Sequence, residues 1–562
     1  LLIGIEAEKY MNQEGTPELL EGLSLKEIPE YVDDDQHIKI TNTVEHDPSS
    51  FDLLVGRMVH NTPTPRRIFV NRSLWMDRLT WIGFDMDYTL LRYHADPMEH
   101  LCYAQSVEKL IASGYDAESL RSLRYNPQRA MRGLLIDKQR GNILRINRHR
   151  HVGVAYHGHR MLDKEERKRC YRLEPLKFSA QPYHLISDSM TLEYRRFCMI
   201  DTLFGVSEAC LYCDLIDLLE SQRNPTQQID YLRIYNDVRS AVDLAHAEGS
   251  ISREIQCDME RYIVKDPEII TVLGRFRTSG KKLFLLTNSD WGYTDQVMSY
   301  LLNSQGESRK RWIQFFDLVI VRANKPQFFK YEEPFEVIDQ QGKSLGHIDE
   351  IRSERLLRGG HQKALNKFLG GMGENILYVG DHIYGDILQT KKSSTWRTLL
   401  VIEELERELM LMHEVKELWA RWENVEERRT QLNREYNEQA MLLEKLERLQ
   451  SVSQDHNSAR FTLEDQARVA AVRRVQRQLH RLQRELDEIV DKSTSLLAQI
   501  NHRFNPFWGM MFREGHQYSY LCDQVLDFAC LYTSRLTNFL NYAPSQYFRP
   551  PLPILPHELP EE

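Results

Sequence analysis

The sequence predicts an α/β protein whose centre is an open, mainly parallel sheet. Three observations carry that reading: short apolar runs that each end in a tight polar cluster, amphipathic helical patterns between them, and acidic or hydroxyl side chains gathered at the run ends. Strands buried on both faces read this way, and such sheets bind ligands beyond the carboxyl ends of their strands. A length of 562 residues corresponds to about three or four domains of ordinary size. Hydrophobic residues at 41% and aromatics at 10% supply a large core and exclude global disorder. Against 82 acidic side chains stand 73 basic ones, a net charge of −9, which argues against a general binder of nucleic-acid polymers. No apolar run reaches the ~18–20 residues of a membrane helix, and no signal-peptide pattern opens the chain, so no membrane partner is expected. Leu1 is not a methionine, which leaves room for a targeting segment upstream.

Residues 1–68 carry acidic and proline-bearing stretches with little periodicity and read as a partly ordered N-terminal extension. The first part of the sheet domain is assigned to 69–100, with a strand at 79–84. Residues 101–265 interrupt the sheet rhythm with amphipathic helices at 197–219 and 234–247, and are expected to form a mainly helical cap that recognises substrate. The sheet resumes over 266–400 with strands at 282–287, 318–321 and 376–380. From 401 to 500 the pattern becomes heptad. Val415, Leu418, Trp422, Val425, Leu432, Tyr436, Leu443 and Leu446 form one seam, with Arg429 and Gln439 filling two slots. After a polar break, Val472, Val475, Leu479, Leu482, Leu486, Ile489, Leu496 and Ile500 form another, with Ser493 as its polar exception. An antiparallel helical coiled-coil hairpin or a self-associating coil follows from this spacing, and a homo-oligomer (dimer or tetramer) is expected. The aromatic-rich segment 501–562 is expected to pack back on the core. Among eight cysteines only Cys210 and Cys213 stand close together, without the further ligands of a zinc site. Buried free thiols in a reducing cytoplasm are the expectation.

The chemistry gathers at the strand ends. Asp85 and Asp87 follow the first strand in Asp85-Met86-Asp87-Tyr88-Thr89. Two carboxylates so placed need a compensating cation, and one can attack phosphorus while the other exchanges protons with the leaving oxygen and with water. The next strand ends in Thr287-Asn288-Ser289, suited to phosphate oxygens, and 318–321 leads to Lys325. The run 376–380 leads to Asp381 and Asp386, further oxygen ligands for Mg2+. An isolated acidic pair at a strand end is usually a turn former or helix cap; four clusters in this order point to catalysis instead.

In these motifs, and in FVNRSL (69–74), GFDMDYTL (83–90), LLTNSDW (285–291), NKPQFF (324–329), YVGDHIYGDIL (378–388) and FWGMMFREG (507–515), the sequence resembles the haloacid dehalogenase superfamily and, within it, the cytosolic purine 5′-nucleotidases. The resemblance implies a Rossmann-like parallel-sheet core with an inserted cap, and hydrolysis of IMP- or GMP-type monophosphates, with phosphotransfer to nucleosides as a further activity. It implies Asp85 as nucleophile and Asp87 as general acid/base, the latter also offering its backbone carbonyl to Mg2+. Thr287, Asn288, Ser289 and Lys325 would serve the phosphate. Asp85, Asp87 and Asp381 would hold the metal, with Asp386 in support. In the cap, Phe204 matches the stacking position, Arg239 and Asp243 the pair that reads the base edge, and His246 a neighbouring position. Arg132-Gly133-Leu134, Asp137 and Gly141-Asn142 would set the cap against the core.

The pattern also departs from the family. Ala247 replaces a tyrosine and Ser252 a lysine, although Arg253 is adjacent; of the nucleotide effector site only Lys392 is recognisable. The Ala247 and Ser252 departures favour a second function, a phosphatase of another phosphomonoester; a third, a non-catalytic scaffold assembling through the heptad hairpin, is opposed by the intact Asp85, Asp87, Lys325 and Asp381.

Overall fold

The computed structural model describes residues 31–33, 36–38, 63–172, 175–178, 196–223, 228–302, 312–371, 373–388, 395–454, 463–552 and 558. Lys392, most of the N-terminal extension and the turn between the two long helices lie outside them. The chain divides into two compact units, Leu1–Asn61 and Thr62–Glu562. In the first, strand Tyr31–Asp33 pairs antiparallel with Gln36–Ile38.

The second unit is built on a 10-stranded sheet. Its central strands run parallel in the spatial order Leu356–Gly359, Leu318–Val321, Lys282–Leu286, Trp81–Phe84, Ile376–Gly380, Arg397–Val401 and Leu531–Thr533. Antiparallel strands finish both edges: Phe335–Ile338 and Ser344–Ile348 on one side, Phe69–Val70 on the other. Alternation along the strands feeds two cores. Ile82, Phe84, Leu283, Leu285, Leu377 and Val379 pack on one face with residues of helices Glu268–Thr278 and Trp291–Leu302, while Trp81, Phe284, Leu286, Ile376 and Tyr378 pack on the other with helix Gln362–Phe368. Gly83 is required here, because a Cβ at that position would sit 2.0 Å from the Phe284 ring.

The segment inserted between the first two parallel strands is largely helical. Ala95–Ala112, Phe204–Gln222 and Tyr231–Ala247 bury a common core containing Leu110, Leu211, Tyr212 and Val238. It also holds a five-stranded antiparallel sheet, in the order Arg160–Met161, Val152–His157, Asn142–Ile146, Leu135–Asp137 and Phe197–Met199. The sequence periodicity does not indicate these strands, and the insert is less uniformly helical than it implies.

Helices Lys416–Gln454 and Leu463–Phe504 pack along each other as a hairpin. Leu432, Leu482 and Leu486 form its middle, and Val415, Trp422, Ile500 and Phe504 its root. The polar exception Ser493 is satisfied within the seam, accepting from Trp422 Nε1 at 3.1 Å and donating to Glu426. The C-terminal segment ties this root to the rest: Met510 packs in the root cluster, and Trp508 Nε1 donates to the Arg129 carbonyl at 2.9 Å. All eight thiols are free, with Cys210 and Cys213 buried in the insert core. Among the described residues no helix is long and apolar enough to cross a membrane.

Candidate active site

Chain order changes direction at Trp81–Phe84, which has Lys282–Leu286 on one side and Ile376–Gly380 on the other. Loops diverge at such a point and leave a crevice at the carboxyl ends of the strands. Asp85, Thr287 and Asp381 each follow one of these three strands directly. The Asp85 N–H donates to the Val379 carbonyl at 2.8 Å, and its Oδ1 accepts the Met86 N–H at 2.8 Å, so the loop leaves the sheet in a fixed direction. Tyr88, two residues further on from Met86, holds a left-handed backbone at φ 52°.

Lys325 is the hub. Its Nζ lies 2.8 Å from Asp85 Oδ2 and 2.8 Å from Asp386 Oδ1, and donates to Tyr378 Oη at 3.1 Å. The loop that presents it has left-handed residues at Arg322 and Asn324. Asn288 fixes that loop: its Oδ1 accepts the Lys325 N–H at 2.6 Å and its Nδ2 donates to the Lys325 carbonyl at 3.0 Å. The Asn288 side chain, assigned from the sequence to phosphate, is thus engaged with the lysine backbone. Thr287 is fully buried, and its Oγ1 accepts the Ser289 N–H at 3.1 Å. Ser289 Oγ donates to Asp87 Oδ2 at 2.9 Å. The other Asp87 oxygen accepts from Tyr93 Oη at 2.5 Å, and Tyr93 in turn lies 2.7 Å from the Tyr293 hydroxyl.

Carboxylate oxygens of Asp85, Asp381 and Asp386 lie within 4.8 Å of one another. Gly380 makes this possible, since a Cβ there would meet the Asp386 carboxylate at 2.5 Å. Three acids this close repel, and one lysine offsets a single charge. An all-oxygen set of this kind fits a hard divalent cation. Burial pushes Asp85 up to about 7 against the pull of Lys325, and raises Asp381 well above the usual carboxylate range, with Asp85 adding to the rise. Burial also raises Asp87, opposed by its bonds from Tyr93 and Ser289. Burial disfavours the Lys325 charge, but the Asp386 and Asp85 carboxylates outweigh it and hold that pKa well above its ordinary value.

A pH dependence follows. Between about pH 4 and 7 the folded protein holds a proton at Asp85 that the unfolded chain has released, so metal-free stability is expected to fall as pH rises through that window. A divalent cation held by these acids would reverse the loss: at about pH 7 it is expected to raise the melting midpoint by several degrees, a gain that shrinks toward pH 5 as protons compete. Melting curves with Mg2+ or EDTA across that range check this; a gain independent of pH would place the ion elsewhere.

The residues assigned to the base stand in the insert. Phe204, first residue of its helix, meets Tyr88 edge-on at 4.9 Å and His246 perpendicularly at 5.6 Å. Arg239 and Asp243 pair one turn apart, with Nε 3.1 Å from Oδ2 and a further bond from Nη2 to Oδ1. Arg239 Nη1 also lies 2.7 Å from Glu208 Oε2, a carboxylate only 5% exposed. Arg253, adjacent to the missing lysine, donates to the Glu248 carbonyl at 2.7 Å. Tyr93, Tyr293, Tyr378 and Glu208 support the site residues, a role that the sequence motifs do not assign to them. For Tyr378 a signal existed: a hydroxyl in an otherwise apolar buried strand must find a partner.

The model of the 5' nucleotidase family matches residues 68–560. A 5'-nucleotidase domain-containing protein of Dictyostelium discoideum is 27% identical over 502 residues, covering 88% of this chain and 76% of that protein. The human 5'-nucleotidase domain-containing protein 2 is 28% identical over 503 residues, covering 88% of this chain and 86% of the relative.

Proposed function

The chain belongs to the 5' nucleotidase family of phosphoric monoester hydrolases, and on that premise we propose that it is a Mg2+-dependent 5′-nucleotidase for purine nucleoside monophosphates of the IMP or GMP type, acting through an aspartyl-phosphate on Asp85. The observation that carries the reading is the Asp85–Lys325–Asp386 bridge, closed at 2.8 Å on both sides, beyond the strand where chain order reverses. In this reading residues 69–100 and 266–400 are a haloacid dehalogenase-type core and 101–265 its cap. A homo-oligomer, phosphotransfer to nucleosides and a cytoplasmic setting belong to the same proposal.

An Asp85 oxygen attacks phosphorus, while the Lys325 ammonium and the Thr287 hydroxyl hold phosphoryl oxygens. Asp87 is suited to keep a proton because burial raises its pKa, and it gives that proton to the departing 5′ oxygen. As the carboxylate it then takes a proton from the water that attacks the phosphorylated Asp85. Ser289 and Tyr93 hold the Asp87 carboxyl in place through these steps. Asp85, the Asp87 carbonyl and Asp381 would hold Mg2+, with Asp386 in support; when bound, the ion supplies the positive charge that lets two anions approach.

Phe204 would stack on the base while Arg239 and Asp243 read its edge. A screen of phosphate release over nucleoside monophosphates, with Mg2+ and then with EDTA, tests the reading; turnover that survives EDTA, or that ignores the nucleoside, contradicts it. Asp243→Ala is expected to raise KM for IMP or GMP about tenfold or more and to leave p-nitrophenyl phosphate unchanged. Arg239→Ala should do the same more strongly, but it strips buried Glu208 of its partner, so it is best combined with Glu208→Gln. Equal losses on both substrates would assign the pair to cap structure. The second reading, another phosphomonoester, is favoured by Ala247 and Ser252, and the same screen covers it.

A further inference from the structure

Arg132 enters from the insert, on the stretch just before strand Leu135–Asp137, yet its side chain ends at the carboxylate cluster. It is 3% exposed, and its planar fork is used on both edges. Nη1 donates to the backbone carbonyl of Asp381 at 3.0 Å. Nε donates to Glu404 Oε1 at 2.8 Å, and Nη2 bonds the other Glu404 oxygen.

The Asp381 carbonyl belongs to the peptide that joins Asp381 to His382. The opposite side of that same peptide is also held, because the His382 N–H donates to Asp386 Oδ2 at 3.3 Å. One peptide plane therefore sets the exit direction of Asp381 and anchors the carboxylate of Asp386. A peptide gripped by its carbonyl and its N–H has little freedom to rotate, and the arginine supplies one of the two grips. Glu404 is the N-cap residue of helix Leu405–Glu414, which runs into the root of the long hairpin. From the same helix Glu408 accepts the Met511 N–H at 2.9 Å, so this anchor is fastened to the C-terminal segment as well.

We propose that Arg132 is a positioning residue for the metal-binding acids: by holding the Asp381–His382 peptide against Glu404, it orders Asp381 and Asp386 for one divalent cation and links their geometry to the root of the hairpin. The proposal rests on the reading of Asp85, Asp381 and Asp386 as the metal site. It differs from a purely structural tether between insert and core, which would affect stability and leave metal affinity alone.

Calorimetric titration of the full-length protein with Mg2+, without substrate, tests it. Arg132→Met is expected to raise the Mg2+ dissociation constant about 10- to 100-fold, the range for partners that orient metal ligands. Arg132→Lys should recover only part of this, since a single ammonium cannot make both edges of the fork. At saturating Mg2+ the kcat of both variants should return to within a few fold of wild type. Glu404→Gln, which keeps an acceptor for the fork but loses its charge, should weaken Mg2+ several fold, and it decides the matter if Arg132→Met fails to fold. Wild-type Mg2+ affinity in a folded Arg132 variant, or in Glu404→Gln where that variant must decide, overturns the proposal, including the case where only the melting midpoint falls. A wild-type protein that takes up no divalent cation instead overturns the metal reading beneath it.

Discussion

Asp85→Asn is expected to abolish phosphate release, by on the order of 10^4-fold or more, while leaving the protein folded. The amide is nearly isosteric with the acid but is a far poorer nucleophile. The fold should survive because Lys325 keeps Asp386 at 2.8 Å and is not left buried without a counter-charge. Removing one of three crowded carboxylates also relieves repulsion, so the metal-free melting midpoint should hold steady or rise. Phosphate release near the wild-type rate, with contaminating phosphatase excluded, would rule out Asp85 as the nucleophile.

Asp87→Asn should cost roughly 10^2- to 10^4-fold in kcat on a nucleotide. Its neighbours can still be satisfied, since the amide oxygen accepts from Tyr93 and the amide nitrogen can donate to Ser289. What is lost is the proton for the leaving oxygen and the base for water. The two losses separate with the leaving group. p-Nitrophenolate needs no proton to depart, so that ester should still phosphorylate Asp85 and then stall. A rapid burst of p-nitrophenol equal to the enzyme concentration, followed by a slow steady state, is the expected trace. Equal slowing of the burst and the steady state would remove Asp87 from the second step.

The legible parts of the fold were those with a single physical signature. Runs such as 282–286 and 376–380 are buried on both faces and carry almost no polar atoms, so they stand out as strands. Arg397–Val401 and Leu531–Thr533 complete the same sheet but contain Arg397, Thr398 and Thr533, which break the run. The antiparallel sheet of the insert was hidden for a related reason. Asp137 and Arg145 are buried there and look like surface residues until Arg196 and Glu514, distant in sequence, are brought to them. The heptad spacing announced two long helices, and the polar Ser493 within it proved to have partners across the seam.

At the site, Asp85, Asp87, Lys325, Asp381 and Asp386 were visible because they stand where apolar strands stop. Their supports were not. Tyr93 bonds Asp87 from the short strand Arg92–Tyr93, Tyr293 backs it from a helix 200 residues away, and no local pattern connects them. Asn288 shows the converse limit: its position in the motif was plain, but its two bonds to the Lys325 backbone appear only once the loops are folded together.

The most direct test of a covalent route through Asp85 is to quench the protein in acid during turnover of a purine monophosphate with Mg2+ and map phosphate by mass spectrometry. The expected result is one phosphorylated peptide, modified at Asp85, present during turnover, lost when substrate is exhausted and absent from Asp85→Asn. Steady turnover with no phosphate on Asp85 in the wild type, and none on Asp87→Asn given p-nitrophenyl phosphate, the ester on which that variant should stall as the phosphoprotein, would contradict the account.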